Sequence, residues 1–348
     1  MKAGVVTGLE QIEVKEVPIP RIDANGVLVK VQACAVCGSD LRIFRSGNNR
    51  VKFPAIIGHE ISGEVIEVGK NVTKLEIGDR VAIGADVPCG ECRFCEAGIG
   101  NNCQINYAMG YQFQGGFAQY IPLNKTVMNY GPVHKIPDQM SYEEAALAEP
   151  LGCVLNALEL APVQLGDTVV VIGAGAIGCM MSNVIKQMGA SKLILVQRSK
   201  PRLEMAKKIV NADVFVCSSE ENAIKAVLRE TDGLGADVVI TSNPSPEAQA
   251  DALLMAKNRA RISFFGGLPK TEENVTLNTN VIHYKELMIT GAHGAMPIHH
   301  LKAIELIASG MIDVKPFISK TFPLDELKEA IAYAESREGM RVVVKPNI

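Results

Sequence analysis

Residues 169–172 read Val-Val-Val-Ile and run straight into Gly173-Ala174-Gly175-Ala176-Ile177-Gly178. An apolar run, a Gly-x-Gly-x-x-Gly turn and a helical stretch form the opening of a βαβ unit that cradles a pyrophosphate. The first glycine allows the tight turn. The second lets a phosphate approach the backbone, and the third lets the helix pack closely on the strand. The helix N-terminus then faces the negative charge. Glycines alone would also suit a tight strand-to-helix turn with no ligand. Here they head a series of six short apolar runs, at 168–172, 193–197, 213–216, 237–241, 261–265 and 287–291. Amphipathic stretches such as 201–210 and 222–231 lie between them. That alternation predicts a doubly wound parallel sheet with a dinucleotide at Gly173, Gly175, Ala176, Ile177 and Gly178.

About twenty residues beyond such a turn, an NAD site carries an acidic residue for the ribose hydroxyls. Gln197 occupies that position, followed by Arg198, Ser199 and Arg202. A neutral amide beside two guanidinium groups and a hydroxyl suits a 2′-phosphate, so the pattern favours NADP over NAD. Without a ligand, the same cations would be ordinary solvated residues at a helix start.

The chain ahead of this unit reads differently. Segments 12–17, 27–31, 61–68 and 80–83 alternate apolar and polar residues as half-buried strands do, with turn signals between them. Ser141-Tyr142-Glu143-Glu144 has the form of a capping box and predicts a helix through Ala148. After the sheet, 299–309 and 324–336 read as helices and 341–344 as a last strand, more than the sheet needs. This tail is expected to return to the first domain.

Two groups of metal-ligating residues lie in the β-rich part. Cys89, Cys92, Cys95 and Cys103 place four thiols in one short stretch, enough for a closed tetrahedral sulfur shell. Zinc suits such a shell, and its role there is structural; an iron–sulfur cluster is the main rival and disulfides a more distant one. Cys37, in Cys-Gly-Ser-Asp, and His59-Glu60, in Gly-His-Glu, supply a thiolate, an imidazole and a carboxylate. A catalytic zinc takes about three such ligands and keeps a position open. Cys34, three residues before Cys37, reads as a strand residue facing the core. Glu149 is a carboxylate among apolar residues, which is costly unless paired or near a metal; a helix terminus is the plainer partner.

Size and composition narrow the function classes. A chain of 348 residues suits about two domains. A 47% apolar and 5% aromatic composition, with no Trp, suits an aliphatic α/β core. A net charge of −3 without a basic tract argues against a nucleic-acid partner. Residues 168–185 lack charge, but three glycines with Ser182 and Asn183 break them up, so no membrane span is expected. The N-terminus runs into a strand-like segment and carries no signal-peptide pattern. Nine cysteines, mostly at metal-like spacing, suit the reducing cytoplasm.

The order Cys-Gly-Ser-Asp, Gly-His-Glu, four-Cys lobe, Glu-Pro-Leu-Gly and glycine turn resembles the zinc-dependent medium-chain alcohol dehydrogenases over essentially the whole chain. Within them it looks most like the polyol branch, with sorbitol, galactitol-phosphate and threonine dehydrogenases, because Glu149 stands where the ethanol-type enzymes commonly have a Cys ligand. The resemblance implies an α/β protein: a GroES-like, β-rich catalytic domain over 1–153, a Rossmann domain over 154–292, and 293–348 returning to the first, with the active site in the cleft between. It implies two zinc ions per chain. Cys37, His59 and Glu60 would hold the catalytic one, with Glu149 as a direct or water-mediated ligand, and Cys89, Cys92, Cys95 and Cys103 the structural one. Ser39 would start the proton relay. Arg42 stands where the family often has the next relay His, so the relay would be shortened or Arg42 given another task. With Arg45, Arg50 and Lys52 close behind, Arg42 is also a candidate clamp for a substrate phosphate.

The activity implied is zinc-dependent hydride transfer between NADP or NAD and a secondary alcohol or ketone of a polyol or sugar, by a cytoplasmic homodimer or homotetramer. An amino-alcohol (threonine-type) or aminocyclitol dehydrogenase is the alternative within the family. A dinucleotide sensor derived from this fold would tend to lose zinc ligands, and here both sets are intact.

Overall fold

The β-rich segments pair into a seven-stranded sheet in the order Ile318–Pro323, Arg341–Lys345, Val27–Ala35, Glu60–Val68, Arg80–Ile83 and Val133–Lys135, with Tyr120–Leu123 also against Val27–Ala35. The computed structural model describes residues 1–348. All neighbours are antiparallel except Ile318–Pro323 and Arg341–Lys345. The alternation over 27–31 predicts a half-buried strand, but Leu28 is buried with the valines, and the strand runs on to Ala35 with Ala33 to Ala35 buried as well. It is the central strand, paired along its edges with Glu60–Val68, Tyr120–Leu123 and Arg341–Lys345. Val29, Val31, Ile61, Val65, Phe117, Ile121, Leu327 and Val344 share its core.

The last strand reaches this sheet through Val343↔Ala35 and Val344↔Cys34. One compact unit is accordingly Met1–Cys153 with Gly294–Ile348, and the other is Val154–His293.

The capping box at Ser141 forms, with Ser141 Oγ accepting from Glu144 N, and opens the helix Tyr142–Ala146. A second helix, Ala148–Leu160, follows at once. Pro150 hides it from a reading by periodicity. The proline sits in the first turn, where its missing N–H has no helical partner to lose.

The second unit holds a six-stranded parallel sheet in the order Val214–Cys217, Lys192–Gln197, Thr168–Ile172, Ala236–Thr241, Ala256–Phe264, Met288–Gly291. This is the doubly wound arrangement the sequence implied, with its switch point between Thr168–Ile172 and Ala236–Thr241. The helix expected over 201–210 runs Lys200–Ala206 and then tightens into turns, with Ile209 N reaching back only to Ala206 O. No helix of the chain is long and apolar enough to cross a membrane.

Candidate active site

Strand register brings the first donor set together. Ala35 pairs with Glu60 and Cys34 with Ile61, so the residues just after the first strand meet those at the start of the second. Cys37 caps the helix Gly38–Ser46, and His59 and Glu60 enter the neighbouring strand. The ligand atoms of Cys37, His59 and Glu60 all lie within 4.8 Å of one another. Gly58 makes the approach possible: its φ is +95°, and a Cβ there would lie 2.7 Å from Cys34 Sγ. Cys34 itself is a buried strand residue.

The surroundings explain how these groups are held. Asp40 is buried on the same helix; its Oδ2 accepts from Cys37 N at 2.9 Å and its Oδ1 from Gly58 N at 3.2 Å. Oδ1 also faces His59 Nδ1 at 3.3 Å. A carboxylate there favours the hydrogen on Nδ1 and leaves the Nε2 lone pair for the centre. Ser39 Oγ lies 3.1 Å from Cys37 Sγ and 3.2 Å from His59 Nε2. Tyr111 packs near His59, with ring centroids 5.9 Å apart.

Charge is concentrated and buried. Burial, offset in part by Arg341, pushes Glu60 up to about 7. Burial also pushes Glu149 up to about 7. Burial opposes a charged His59, yet Asp40 and Cys37 outweigh it and raise His59 well above the usual range. Burial and Glu60 oppose a thiolate at Cys37, but His59 and Arg341 win and lower it. Arg341 Nη1 stands 3.1 Å from Glu60 Oε1, and both side chains are buried. Even so, neither oxygen of Glu60 makes a hydrogen bond. A buried carboxylate without hydrogen bonds, beside a thiolate and an imidazole, fits a divalent cation that accepts S, N and O donors, and zinc suits that mixture.

Glu149 lies in the first turn of Ala148–Leu160, outside the three-donor cluster, with Cys153 Sγ 3.6 Å from its Oε1. The roles of Asp40, Arg341 and Tyr111 come from the folded arrangement. Only Asp40 left a local signal: an acid three residues past a helix cap commonly reaches back to the cap N–H.

The four-Cys lobe is equally explicit. Cys92 and Cys95 are 3.5 Å apart, and Cys89–Cys95 and Cys92–Cys103 are each 3.9 Å apart. Sulfurs at the corners of a zinc tetrahedron are about 3.8 Å apart, given Zn–S of about 2.3 Å. A disulfide needs about 2.05 Å, and all four thiols are free, which sets the disulfide alternative aside. Backbone N–H groups of Glu91 and Cys89 point at Cys89 Sγ and Cys103 Sγ.

In the second unit, Gly173 follows its strand with φ +116° and Gly175 caps the helix Ala176–Gln187. A Cβ on Gly175 would meet nothing, so the cradle is open there, while one on Gly178 would lie 1.9 Å from Gly173 O. The roles expected for three glycines are thus visible as backbone freedom, ligand approach and helix–strand closeness. Thr241 Oγ1 and Asn243 Oδ1, at the end of the adjoining strand, are buried without partners, a second sign of a site that takes a polar ligand. Ser242 Oγ donates to Gly173 O at 2.8 Å and fixes the turn. Gln197 Oε1 accepts from Ala174 N at 2.9 Å, and Arg202 Nε donates to Ala174 O at 3.1 Å. Two of the residues read as ribose contacts therefore brace the phosphate turn, while Arg198 and Ser199 are exposed.

Residues 23–138 match the alcohol dehydrogenase GroES-like domain, and residues 176–309 match the zinc-binding dehydrogenase domain. The chain is 33% identical to sorbitol dehydrogenase of Bacillus subtilis (strain 168), covering 100% of this chain and 98% of that one. The chain belongs to the zinc-dependent medium-chain alcohol dehydrogenases, in their polyol branch. D-arabitol-phosphate dehydrogenase of Enterococcus avium is 31% identical over 98% of this chain and 95% of its own. L-threonine 3-dehydrogenase of Bacillus subtilis (strain 168) is 35% identical over 95% and 94%. A solved zinc-binding dehydrogenase from Sinorhizobium meliloti 1021, bound to NADP, superposes with a TM-score of 0.92 at 29% identity, covering 99% of both chains. As a member of this family the chain is an NAD(P)-linked oxidoreductase.

Proposed function

We propose that this dehydrogenase interconverts a secondary alcohol of a polyol or sugar and its ketone, with NADP preferred to NAD. The observation that carries the reading is the Glu60 carboxylate, buried without a hydrogen bond beside Cys37 and His59. Relatives named for sorbitol and arabitol phosphate support the substrate class. Cys37, His59 and Glu60 would hold the catalytic zinc, with Glu149 completing the shell directly or through water. Zinc supplies Lewis acidity that makes a substrate hydroxyl easier to ionise. Asp40 holds the His59 tautomer. Ser39 Oγ, next to both Cys37 and His59, would relay the hydroxyl proton, accepting it while passing its own proton on to solvent. Cys89, Cys92, Cys95 and Cys103 would hold a second, structural zinc. In the second unit the Gly175–Gly178 turn receives the pyrophosphate, and the exposed Arg198 and Ser199 receive the 2′-phosphate, with no carboxylate at Gln197 to repel it. The family resemblance supports a cytoplasmic homodimer or homotetramer.

The substrate carries an anionic group in this reading, and the cation run decides which residue meets it. Arg45 is engaged by Glu10 and Glu335. Arg42 is exposed on its helix. Arg50 instead lies over the Tyr111 ring at 4.6 Å, donates from Nη2 to Asn106 O at 2.6 Å, and keeps Nε buried without a partner. A part-buried guanidinium with no carboxylate partner, on the aromatic ring nearest His59, suits a phosphate or carboxylate on the substrate. A carboxylate would favour the amino-alcohol alternative, which the threonine dehydrogenase relative supports.

The test is a nicotinamide-absorbance screen of free polyols, their phosphates and L-threonine with both coenzymes, on native protein and Arg50→Ala. A phosphorylated polyol should exceed its free form by more than about tenfold in kcat/KM, and Arg50→Ala should erase most of that margin. Preference for the free polyol would remove the anion from the reading. Turnover of L-threonine alone would replace the polyol.

A further inference from the structure

His134 lies on the edge strand Val133–Lys135 and His300 in the first turns of the helix Pro297–Ala308. Their Nδ1 atoms are 2.9 Å apart, and their rings stack with centroids 5.2 Å apart. Two ring nitrogens in such contact share one hydrogen, so one Nδ1 donates and the other accepts. Burial keeps both rings neutral near pH 7. It brings His300 down to about 3, with His134 adding to the effect, and His134 down to about 4, with Lys74 adding to it. Two neutral imidazoles joined through Nδ1 carry opposite tautomers, and the groups at their outer nitrogens decide which is which.

His300 Nε2 is buried without a partner. The ring lines a cavity of about 10 Å³ together with Gly84, Asp86 and Glu149. Two carboxylates in that wall favour a hydrogen on His300 Nε2, which makes His300 Nδ1 the acceptor. His134, at the other end, lines a separate pocket of about 790 Å³ that also holds Lys74. An ammonium group there favours a lone pair on His134 Nε2 and therefore a hydrogen on its Nδ1. Both ends select one arrangement.

The cavity has about the volume that one water needs. Asp86 Oδ2 is already engaged by Ala295 N at 2.9 Å. Glu149 makes only the long 3.6 Å contact with Cys153 Sγ, so its carboxylate has acceptor capacity to spare. Gly84 keeps the space open: a Cβ there would come 3.4 Å from His300 Nε2 and 3.0 Å from His300 Cδ2 and Pro132 Cγ.

We propose that His134 and His300 form a fixed-tautomer hydrogen-bond chain that presents the Nε2–H of His300, through one buried water, to the Glu149 carboxylate. His300 is then a positioning residue for Glu149. Outer partners of this kind orient a carboxylate that serves a metal centre, and their loss typically costs about 10- to 100-fold in metal affinity or activity. The effect on turnover rests on the reading of Glu149 as part of the catalytic centre. The tautomers do not.

Histidine-labelled ¹⁵N NMR of the native enzyme reads the tautomers directly. His300 should show N–H at Nε2 and a lone pair at Nδ1, and His134 the reverse. Inverted tautomers would overturn the chain whatever Glu149 does. His134→Phe removes the donor, and Gly84→Ala narrows the cavity while keeping both histidine side chains, with the His300 ring giving way by a few tenths of an ångström. Each should lower kcat, and zinc affinity at the Cys37, His59 and Glu60 site by chelator competition, by about 10- to 100-fold, with coenzyme KM unchanged. His134→Gln, whose amide N–H can still donate to His300 Nδ1, should recover most of the loss. Native kcat and zinc affinity in both His134→Phe and Gly84→Ala would refute the positioning role. If the tautomers are as stated but Glu149→Gln leaves turnover intact, the reading of Glu149 fails and the hydrogen-bond chain stands.

Discussion

With no metal at Cys37, His59 and Glu60, the protein should lose stability as pH rises. Glu60 and Glu149 are both raised from 4.5 to about 7, chiefly by burial. The folded chain therefore retains protons that the unfolded chain has released. A raised carboxyl contributes stability that is full below the unfolded value, near 4.5, and is gone once pH has climbed through about 7. For one such group the swing is about 3 kcal/mol, at roughly 1.4 kcal/mol per pH unit. Glu149 adds to the rise of Glu60, so the two shifts are not independent and together supply less than twice that. His59, also raised, works in the same direction. Cys37, lowered from 9.0, works in the opposite direction, its contribution being full above 9.0 and lost as pH falls through its folded value. The assay is thermal unfolding of mildly chelated protein from about pH 5 to about pH 8, alongside Glu60→Gln. At about 2–4 °C per kcal/mol, the Glu60 share of the fall in Tm is roughly 6–12 °C. Glu60→Gln should lack that share. Zinc should reverse the trend, because a carboxylate that ligates it would have to be ionised. Parallel curves for native and Glu60→Gln protein would refute the reasoning.

Metal analysis should find two zinc ions per chain, one lost to mild chelation and one retained by the closed four-Cys shell; iron in that shell, or one metal in all, would contradict this. Ser39→Ala should lower kcat about a hundredfold or more with coenzyme binding unchanged, and near-normal turnover across pH would assign the proton to another group. Arg198→Ala should cost NADPH efficiency about tenfold or more while sparing NADH, whereas a starting preference for NADH would reverse the coenzyme assignment. Arg341→Met should destabilise the protein by about 3–5 kcal/mol by stranding buried Glu60, and the double variant with Glu60→Gln should recover much of that in urea unfolding.

What the sequence disclosed was local. The glycine turn at 173–178, the spacing of the four cysteines and the Cys37, His59 and Glu60 donors each lie within a few residues of their own signal. What it hid depends on strand register and on distance along the chain. Arg341 reaches Glu60 only because Val343 pairs with Ala35 while Ala35 pairs with Glu60. His134 and His300 meet across two elements whose patterns say nothing of each other. Gln197 was legible as the residue at the end of the second strand, but its bond to Ala174 N depends on how the turn is folded. Arg50 and Arg42 look alike in a run of cations, and packing alone puts Arg50 on Tyr111. Pro150 concealed a helix because a proline is read as a breaker when its place in the first turn is unknown.

The measurement that bears most directly on the central claim pairs zinc content with turnover in native protein and His59→Asn. Native protein should hold two zinc ions per chain and reduce the nicotinamide coenzyme with a polyol or polyol phosphate. His59→Asn should stay folded, keep the zinc of the four-Cys shell, lose the other and lose turnover with it. Undiminished turnover in His59→Asn, or a full complement of zinc without any alcohol turned over by the native protein, would contradict the account.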